Sequence, residues 1–247
     1  MVSNKQSKFI KSLKIKKYRS KEMCFLAEGR KNVLEGLANG LKVKYLLATS
    51  EFVKDNEQDL SIVESQLIEC TNTELTDLGT FTTNNDCLAV FEIPVINQPL
   101  DHSQHIVLLD GVSDPGNLGT IIRTMDWFGF NQLICSKDTT DFYNPKVINA
   151  TMGSFARMHV NYANIVDTIK DSPMEAYGAD LNGTPLDQWK AVKPTMLVMG
   201  SESHGLSREV HDVLSGRVTI PKVGATESLN VAIATGILCH HMRFNLS

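Results

Sequence analysis

Residues 106–130 read IVLLDGVSDPGNLGTIIRTMDWFGF, and the fold turns on them. Ile106 to Leu109 is an unbroken apolar run, the pattern of a strand buried on both faces. A turn follows, Asp110-Gly111-Val112-Ser113-Asp114-Pro115-Gly116, built from residues that tolerate tight or left-handed backbone. Leu118, Ile121, Ile122, Met125 and Phe128 then recur at i, i+3, i+4 and i+7 spacing. That predicts a helix over 117–129 with one buried face, and Gly129 stands where it stops. Strand, tight turn and helix make half of a βαβ unit, whose ligands collect at the strand end. Two polar side chains stand out there: Asn117 at the helix start and Arg123 inside an otherwise apolar helix.

The pattern continues in both directions. Strands are expected at 106–110, 132–136, 158–162, 176–180, 195–200 and 217–220, with helices at 117–129, 145–156, 164–171, 206–215 and 228–244. Such alternation implies a parallel sheet covered on both faces. Upstream, apolar runs at 23–27, 43–48 and 87–93 alternate with helical patterns near 4–16 and after Gly29, enough for a small α/β domain. Between 50 and 85 the period is weaker; Ser50, Thr71 and Thr73 are candidate N-caps, and Thr73-x-x-Thr76 lacks the Glu or Gln of a capping box. Pro94 to Gln104, rich in Pro, Asn, Asp and Ser, reads as a linker. The expected organisation is a first domain over 1–95, a linker at 96–104 and a second domain over 105–247.

Composition narrows the function. The chain has 247 residues, 42% of them apolar, which suffices for a real core. No run reaches the roughly 20 apolar residues of a membrane span. Five scattered cysteines, Cys24, Cys70, Cys87, Cys135 and Cys239, form no CxxC pair, which argues for a reducing compartment and a cytoplasmic location. Cys239-His240-His241 resembles a metal cluster in one dimension, but adjacent helical residues diverge, so packing or solvation is the reading and no metal is expected. The net charge of −4 conceals a polarity. Residues 1–21 hold eight of the 24 basic residues and none of the 28 acidic ones, leaving 16 basic against 28 acidic elsewhere. A basic arm for a polyanion on an acidic body fits this. A transit peptide or a solvated lysine face are the competing readings.

Standard nucleotide motifs fail. Gly111 to Gly116 has P-loop spacing, but Asn117-Leu118 replaces the Lys and Ser/Thr that hold phosphate and magnesium. Gly200-Ser-Glu-Ser-His-Gly205 carries Glu202 where a G-x-S-x-G nucleophile would stand. What survives is a set of strand-end loops in one style. The 195–199 run breaks into Gly200 to Ser207, and the 218–221 run feeds Lys222 to Asn230 and then a nearly all-apolar helix. A helix apolar all round is buried, so Ser228 and Asn230 at its start face a site. Thr226 and Ser228 also qualify as simple caps.

DPGNLGTIIRTMDWFGF, MGSESHGLS and IPKVGATESLNVAIATGI, in this order, resemble the three signature motifs of the SpoU (TrmH-type) RNA ribose 2′-O-methyltransferases, and NPKVINATMGSFARM is similar to the same family. LAEGRKNVLEGL resembles the small α/β substrate-binding domain often fused ahead of the catalytic one. The resemblance implies a SPOUT-type α/β fold, a parallel sheet with a deep trefoil knot, working as a homodimer through the knotted domain. It implies S-adenosylmethionine as cofactor, held by Gly200, Ile220, Leu229, Leu109 and Ser228. It further implies Arg123 as the catalytic arginine, with Asn117, Glu202, Ser228 and Asn230 around it. Arginine stays protonated, so a grip on the RNA phosphate suits Arg123 better than proton removal, and Glu202 either orients it or accepts a proton. Motif two departs from the family in the serines, Ser201 and Ser203, that flank Glu202. Lys14, Lys16, Lys17, Arg19 and Arg30, together with Arg123, are the expected RNA contacts. The separate first domain and the arm favour ribosomal over transfer RNA; a non-catalytic RNA-binding or ribosome-assembly factor is the alternative from another class.

Overall fold

The computed structural model describes residues 2–95 and 99–244. Residues 96–98, the start of the expected linker, lie outside it. The elements in chain order are α1 (Asn4–Ser12), α2 (Lys16–Glu22), β1 (Cys24–Glu28), α3 (Arg30–Ala38), β2 (Val43–Ala48), α4 (Ser50–Asp55), α5 (Glu57–Leu60), β3 (Leu67–Glu69), α6 (Asn72–Leu78) and β4 (Cys87–Glu92). After these come β5 (Ile106–Asp110), α7 (Pro115–Trp127), β6 (Gln132–Cys135), α8 (Pro145–Thr151), β7 (His159–Tyr162), α9 (Ile165–Lys170), β8 (Glu175–Pro185), β9 (Thr195–Gly200), α10 (Arg208–His211), β10 (Gly216–Thr219) and α11 (Val231–Phe244).

Two compact units result: Met1–Ile96 with Asp141–Ala156, and Asn97–Thr140 with Arg157–Ser247. The first holds a four-stranded sheet in the order β1-β4-β2-β3, in which β4 runs antiparallel to both neighbours and β2 pairs β3 in parallel. Period-two alternation splits its core into two layers. Leu26, Leu88 and Val90 pack with Ile10 and Leu13 of the N-terminal segment and with Leu75 and Leu78 of α6. On the other layer Phe25 packs at tilted or edge-on angles against Phe91, Tyr143 and Phe155, so residues 141–156 complete this unit's core.

Local chemistry explains the departures from expectation here. The first helix, expected through residue 16, ends at Ser12: Leu13 turns into the core and Ile15 adopts extended backbone before α2 begins. Thr71, not Thr73, caps α6, and Glu74 closes a full capping box with it. The 145–156 helix stops at Thr151, because Met152 takes a left-handed turn.

The second unit is a six-stranded, wholly parallel sheet in the order β10-β8-β9-β5-β6-β7. Winding proceeds outward from β5 through β6 to β7, then crosses to β8, and β9 returns to the centre between β8 and β5. The direction therefore reverses at β5/β9, the topological switch point where α/β sheets bind ligands. Ile106, Leu108, Met196 and Val198 pack against Ile165, Ile169 and Val210 of α9 and α10. On the other side α11 lies along α7 and β9. Gly129 ends α7 with φ +71°, and Phe130 N–H returns to Met125 O at 2.8 Å.

Two helices differ from the sequence reading in this unit. The 206–215 helix is only the single turn of α10, since Leu206 and Val210 already fill the face of the sheet. The last helix starts at Val231, not 228, and is not buried all round: Ile233, Ile237, His240 and Phe244 face outward. Among the described residues no helix is long and apolar enough to cross a membrane.

Candidate functional site

Three loops leave the C-terminal ends of β5, β9 and β10. The first turns into α7 through Asp114, whose carboxylate accepts from Asn117 N–H at 2.7 Å, with Pro115 at the first helical position. This cap fixes the start of α7 and aims the Asn117 side chain outward. The second loop folds back on itself, Ser201 pairing with Gly205 through both backbone groups. Gly200 has no alternative, because a Cβ there would lie 2.2 Å from the Gly205 carbonyl carbon and 2.4 Å from Leu206 N. The third loop ends where Asn230 caps α11, its side-chain oxygen accepting from Ala232 N–H at 2.9 Å.

Hydrogen bonds join the three loops. Asn117 Nδ2 donates to Glu202 Oε1 at 2.9 Å, and Ser113 N–H donates to Glu202 Oε2 at 3.4 Å. Asn117 Oδ1 accepts from Asn230 Nδ2 at 3.0 Å. One continuous chain thus runs from loop two through loop one to loop three. Ser228, two residues before Asn230, is exposed. Arg123 is exposed just over two turns along α7 and, among the described residues, has no hydrogen-bond or ion-pair partner. Glu202 is spent on loop one, so Arg123 is not oriented by it and does not sit in a structural ion pair.

The residues expected to hold a cofactor divide. Gly200 is buried at the end of β9, Ile220 is half-buried just past β10, and Leu229 is exposed. Leu109 departs from expectation: its side chain is fully buried, and its carbonyl is taken by Ser136 N–H at 2.9 Å and Thr139 Oγ1 at 3.1 Å, so it supports the site from beneath. Across Val223–Leu229, among the described residues, one hydrogen bond involves the backbone, Lys222 Nζ to Thr226 O at 2.9 Å. The remaining exposed amides and carbonyls are free to meet a ligand, a set that suits the edges of an adenosine in a partly apolar cleft.

Two positioning groups escaped the sequence reading. Asp110 Oδ2 accepts from Ser207 N–H at 2.7 Å, tying loop two to the end of β5, and Ser136 Oγ accepts from Gly111 N–H at 2.9 Å. Asp110 had a signal, as the polar residue that ends an apolar strand. Ser136 had none, because its partner is 25 residues away.

The expected RNA contacts also divide. Lys14, Lys16 and Lys17 are exposed. Arg19 is buried, paired with Asp141 and donating to Leu13 O at 2.9 Å, so its charge is used inside the first unit; a buried guanidinium needs such partners. Arg30 lies over the Phe52 ring at 5.0 Å and faces Asp55 at 3.3 Å and Asp86 at 3.5 Å, which lowers its value as a free cation. The Cys239-His240-His241 run diverges. Cys239 is buried, which pushes its thiol up to about 12, His240 packs between Phe128 and Phe244, and His241 bonds Trp189 O at 2.7 Å.

Comparison with known proteins places this geometry. Residues 104–240 match the model of the SpoU rRNA methylase family, and residues 4–89 match an MRM3-like substrate binding domain. The chain is 32% identical over 244 residues to the Bacillus subtilis 23S rRNA (guanosine(2553)-2′-O)-methyltransferase RlmP, covering 97% of this chain and 96% of that one. An AdoMet-bound rRNA methyltransferase from Sinorhizobium meliloti superposes with a TM-score of 0.88 at 30% identity, over 100% of this chain and 97% of the other. The AdoMet complex of the SpoU methyltransferase AviRb from Streptomyces viridochromogenes gives 0.86 at 25% identity, over 97% of each chain.

Proposed function

The chain belongs to the SpoU rRNA methylase family, and from that premise we propose that it methylates a ribose 2′-hydroxyl in ribosomal RNA with S-adenosylmethionine as donor. One observation carries the reading: the Glu202–Asn117–Asn230 chain that locks three strand-end loops together at the sheet's switch point. Gly200, Ile220, Ser228 and Leu229 would hold the cofactor, largely through backbone groups and apolar surface. Once bound, it supplies an activated methyl group on a sulfonium.

The chain's own residues then have separable tasks. Arg123 is a permanent cation with an unengaged guanidinium, suited to a bidentate grip on the phosphate beside the target ribose. Its charge also favours a hydroxyl that is losing its proton. Glu202, the carboxylate of the three-loop chain, would take that proton. Holding the hydroxyl in line supplies much of the remaining rate enhancement.

The functional form is a cytoplasmic homodimer with the trefoil knot of the family. Support comes from the outer faces of α7 and α11, where Trp127 is 84% exposed and Ile233 55% exposed, with Ile237 and Phe244 beside them. A second copy of this chain would cover that apolar strip. Sedimentation of the purified protein tests it, and a monomer at micromolar concentration would refute it.

The catalytic test is transfer of labelled methyl from S-adenosylmethionine to bulk ribosomal RNA, with transfer RNA as the parallel substrate. Label on ribosomal RNA, mapped to ribose, is expected; none would overturn the reading. Arg123→Ala should abolish transfer and leave calorimetric cofactor binding intact.

A further inference from the structure

Helix α2 buries an arginine and exposes a tyrosine. Its arginine is only 3% exposed, whereas Tyr18 is 38% exposed and Ile15, just before the helix, 54%. Met23, in the left-handed cap that ends it, also faces solvent. A surface helix ordinarily buries its apolar residues and exposes its charges. The reversal is fixed from within. Arg19 Nη1 donates to Leu13 O at 2.9 Å and its Nε to Asp141 Oδ2 at 3.0 Å, while Ile10 and Leu13 are fully buried. Tyr18 is therefore held at the surface by an ordered scaffold, against the entropy that a free arm would keep.

Lysines lie near it in sequence. Lys14, Lys17 and Lys21 are exposed, and Lys21 stands one helical turn from both Lys17 and Tyr18. Lys14 and Lys17 have no acidic partner among the described residues, whereas Lys21 faces Glu22 at 3.9 Å.

We propose that Tyr18, with the exposed Lys14, Lys17 and Lys21 near it in sequence, forms a platform on which an unpaired nucleotide of the RNA substrate stacks. The proposal rests on the RNA-methyltransferase reading and adds a substrate feature to it, a single-stranded segment. A base offers its face to the tyrosine ring and its flanking phosphates to the lysines, which uses both halves of the patch. Paired RNA would use only the lysines, because its base faces are already stacked. An acidic protein segment would likewise leave the flat ring without a matching surface.

The test is fluorescence anisotropy of the full-length protein with a labelled oligouridine and with a blunt RNA duplex. Tyr18→Ala should weaken oligouridine binding roughly tenfold. Its duplex affinity, salt slope and melting temperature should match wild type. Tyr18→Phe should bind oligouridine as wild type does, and Lys17→Ser should weaken both RNAs and flatten the salt dependence. Undiminished oligouridine binding by Tyr18→Ala overturns the platform. So does an equal loss on the duplex, or displacement of oligouridine by polyglutamate at matched charge, which would mark an acidic-protein surface. If Tyr18→Ala loses oligouridine while the wild-type enzyme transfers no methyl group, the platform stands and only the catalytic reading falls.

Discussion

Asn117 and Glu202 face each other across two loops, the amide donating to the carboxylate at 2.9 Å. An ionised carboxylate only accepts, so Asn117 must turn its NH2 toward Glu202 and its oxygen toward Asn230. Asn230 then donates, and its own oxygen is left for the amides of Ala232 and Ile233 at the start of α11. One carboxylate thereby sets the direction of every bond in the chain. Asn117→Asp would set two carboxylates against each other and remove the donor that joins loop one to loop two. We expect methyl transfer to fall by about 100-fold or more, in line with loss of a preorganised polar group. Single-turnover transfer measures it, and a variant within threefold of wild type would show the chain to be dispensable.

Gly200→Ala tests the second loop. The added methyl would meet backbone atoms of Gly205 and Leu206 at 2.2 and 2.4 Å, and backbone cannot step aside as a flexible side chain can. A cost of about 1–3 kcal/mol is expected from the forced shift. Calorimetry should show S-adenosylmethionine affinity lowered at least tenfold while the rest of the chain still melts cooperatively. Unchanged affinity would remove this loop from the cofactor site.

Arg19→Ala should cripple folding instead of RNA binding. The side chains of Arg19 and Asp141 are 4% and 16% exposed, so the truncation leaves a nearly buried carboxylate without its partner. About 3–5 kcal/mol of stability should be lost. Adding Asp141→Leu should restore part of it, as denaturant titration would show. Equal stability of the single and double variants would mean the pair contributes little.

His105 gives a pH dependence. Burial, aided by the nearby Arg243, holds its imidazole below the ordinary value of about 6.5, and its Nδ1 accepts from Thr195 N–H at 3.1 Å, which requires the neutral ring. Below the ordinary value the unfolded chain binds a proton that the folded chain refuses. Its contribution to stability is therefore complete above about 6.5 and is lost as pH falls toward the lowered folded value. Melting temperature should decline between about pH 7 and 5, and His105→Gln should flatten that decline. An unaltered slope would assign the effect to other groups.

Much of the second unit was legible because its strands are short apolar runs with Gly, Pro or Ser at their ends. The strand expected at 195–200 and the one at 106–110 match β9 and β5 residue for residue. Strand order was not legible, since the insertion of β9 beside β5 depends on pairing between segments some ninety residues apart. The outward face of α11 was missed for a related reason: an all-apolar stretch looks the same whether covered by its own fold or left for a partner. Arg19 was misread because a basic run carries no mark of which member meets an acid more than a hundred residues later. The site loops were recognised from motif order, but the Asp110 and Ser136 struts under them were not.

Residues 141–156 belong to the first unit although they are reached only after two strands of the second. A ribosome releases the chain from its N-terminus, so Phe25 waits for Tyr143 and Phe155, its neighbours at 4.8 and 5.7 Å, until some sixty residues beyond β4 have emerged. The central strand β9 comes later still, after the sheet it divides has begun to form. The first unit cannot close its core before part of the second has been made. Such interleaving raises contact order, slows maturation and leaves aromatic surface bare on the nascent chain. A fragment cut after residue 95 should for the same reason be a sticky, half-finished body, not a domain that folds by itself.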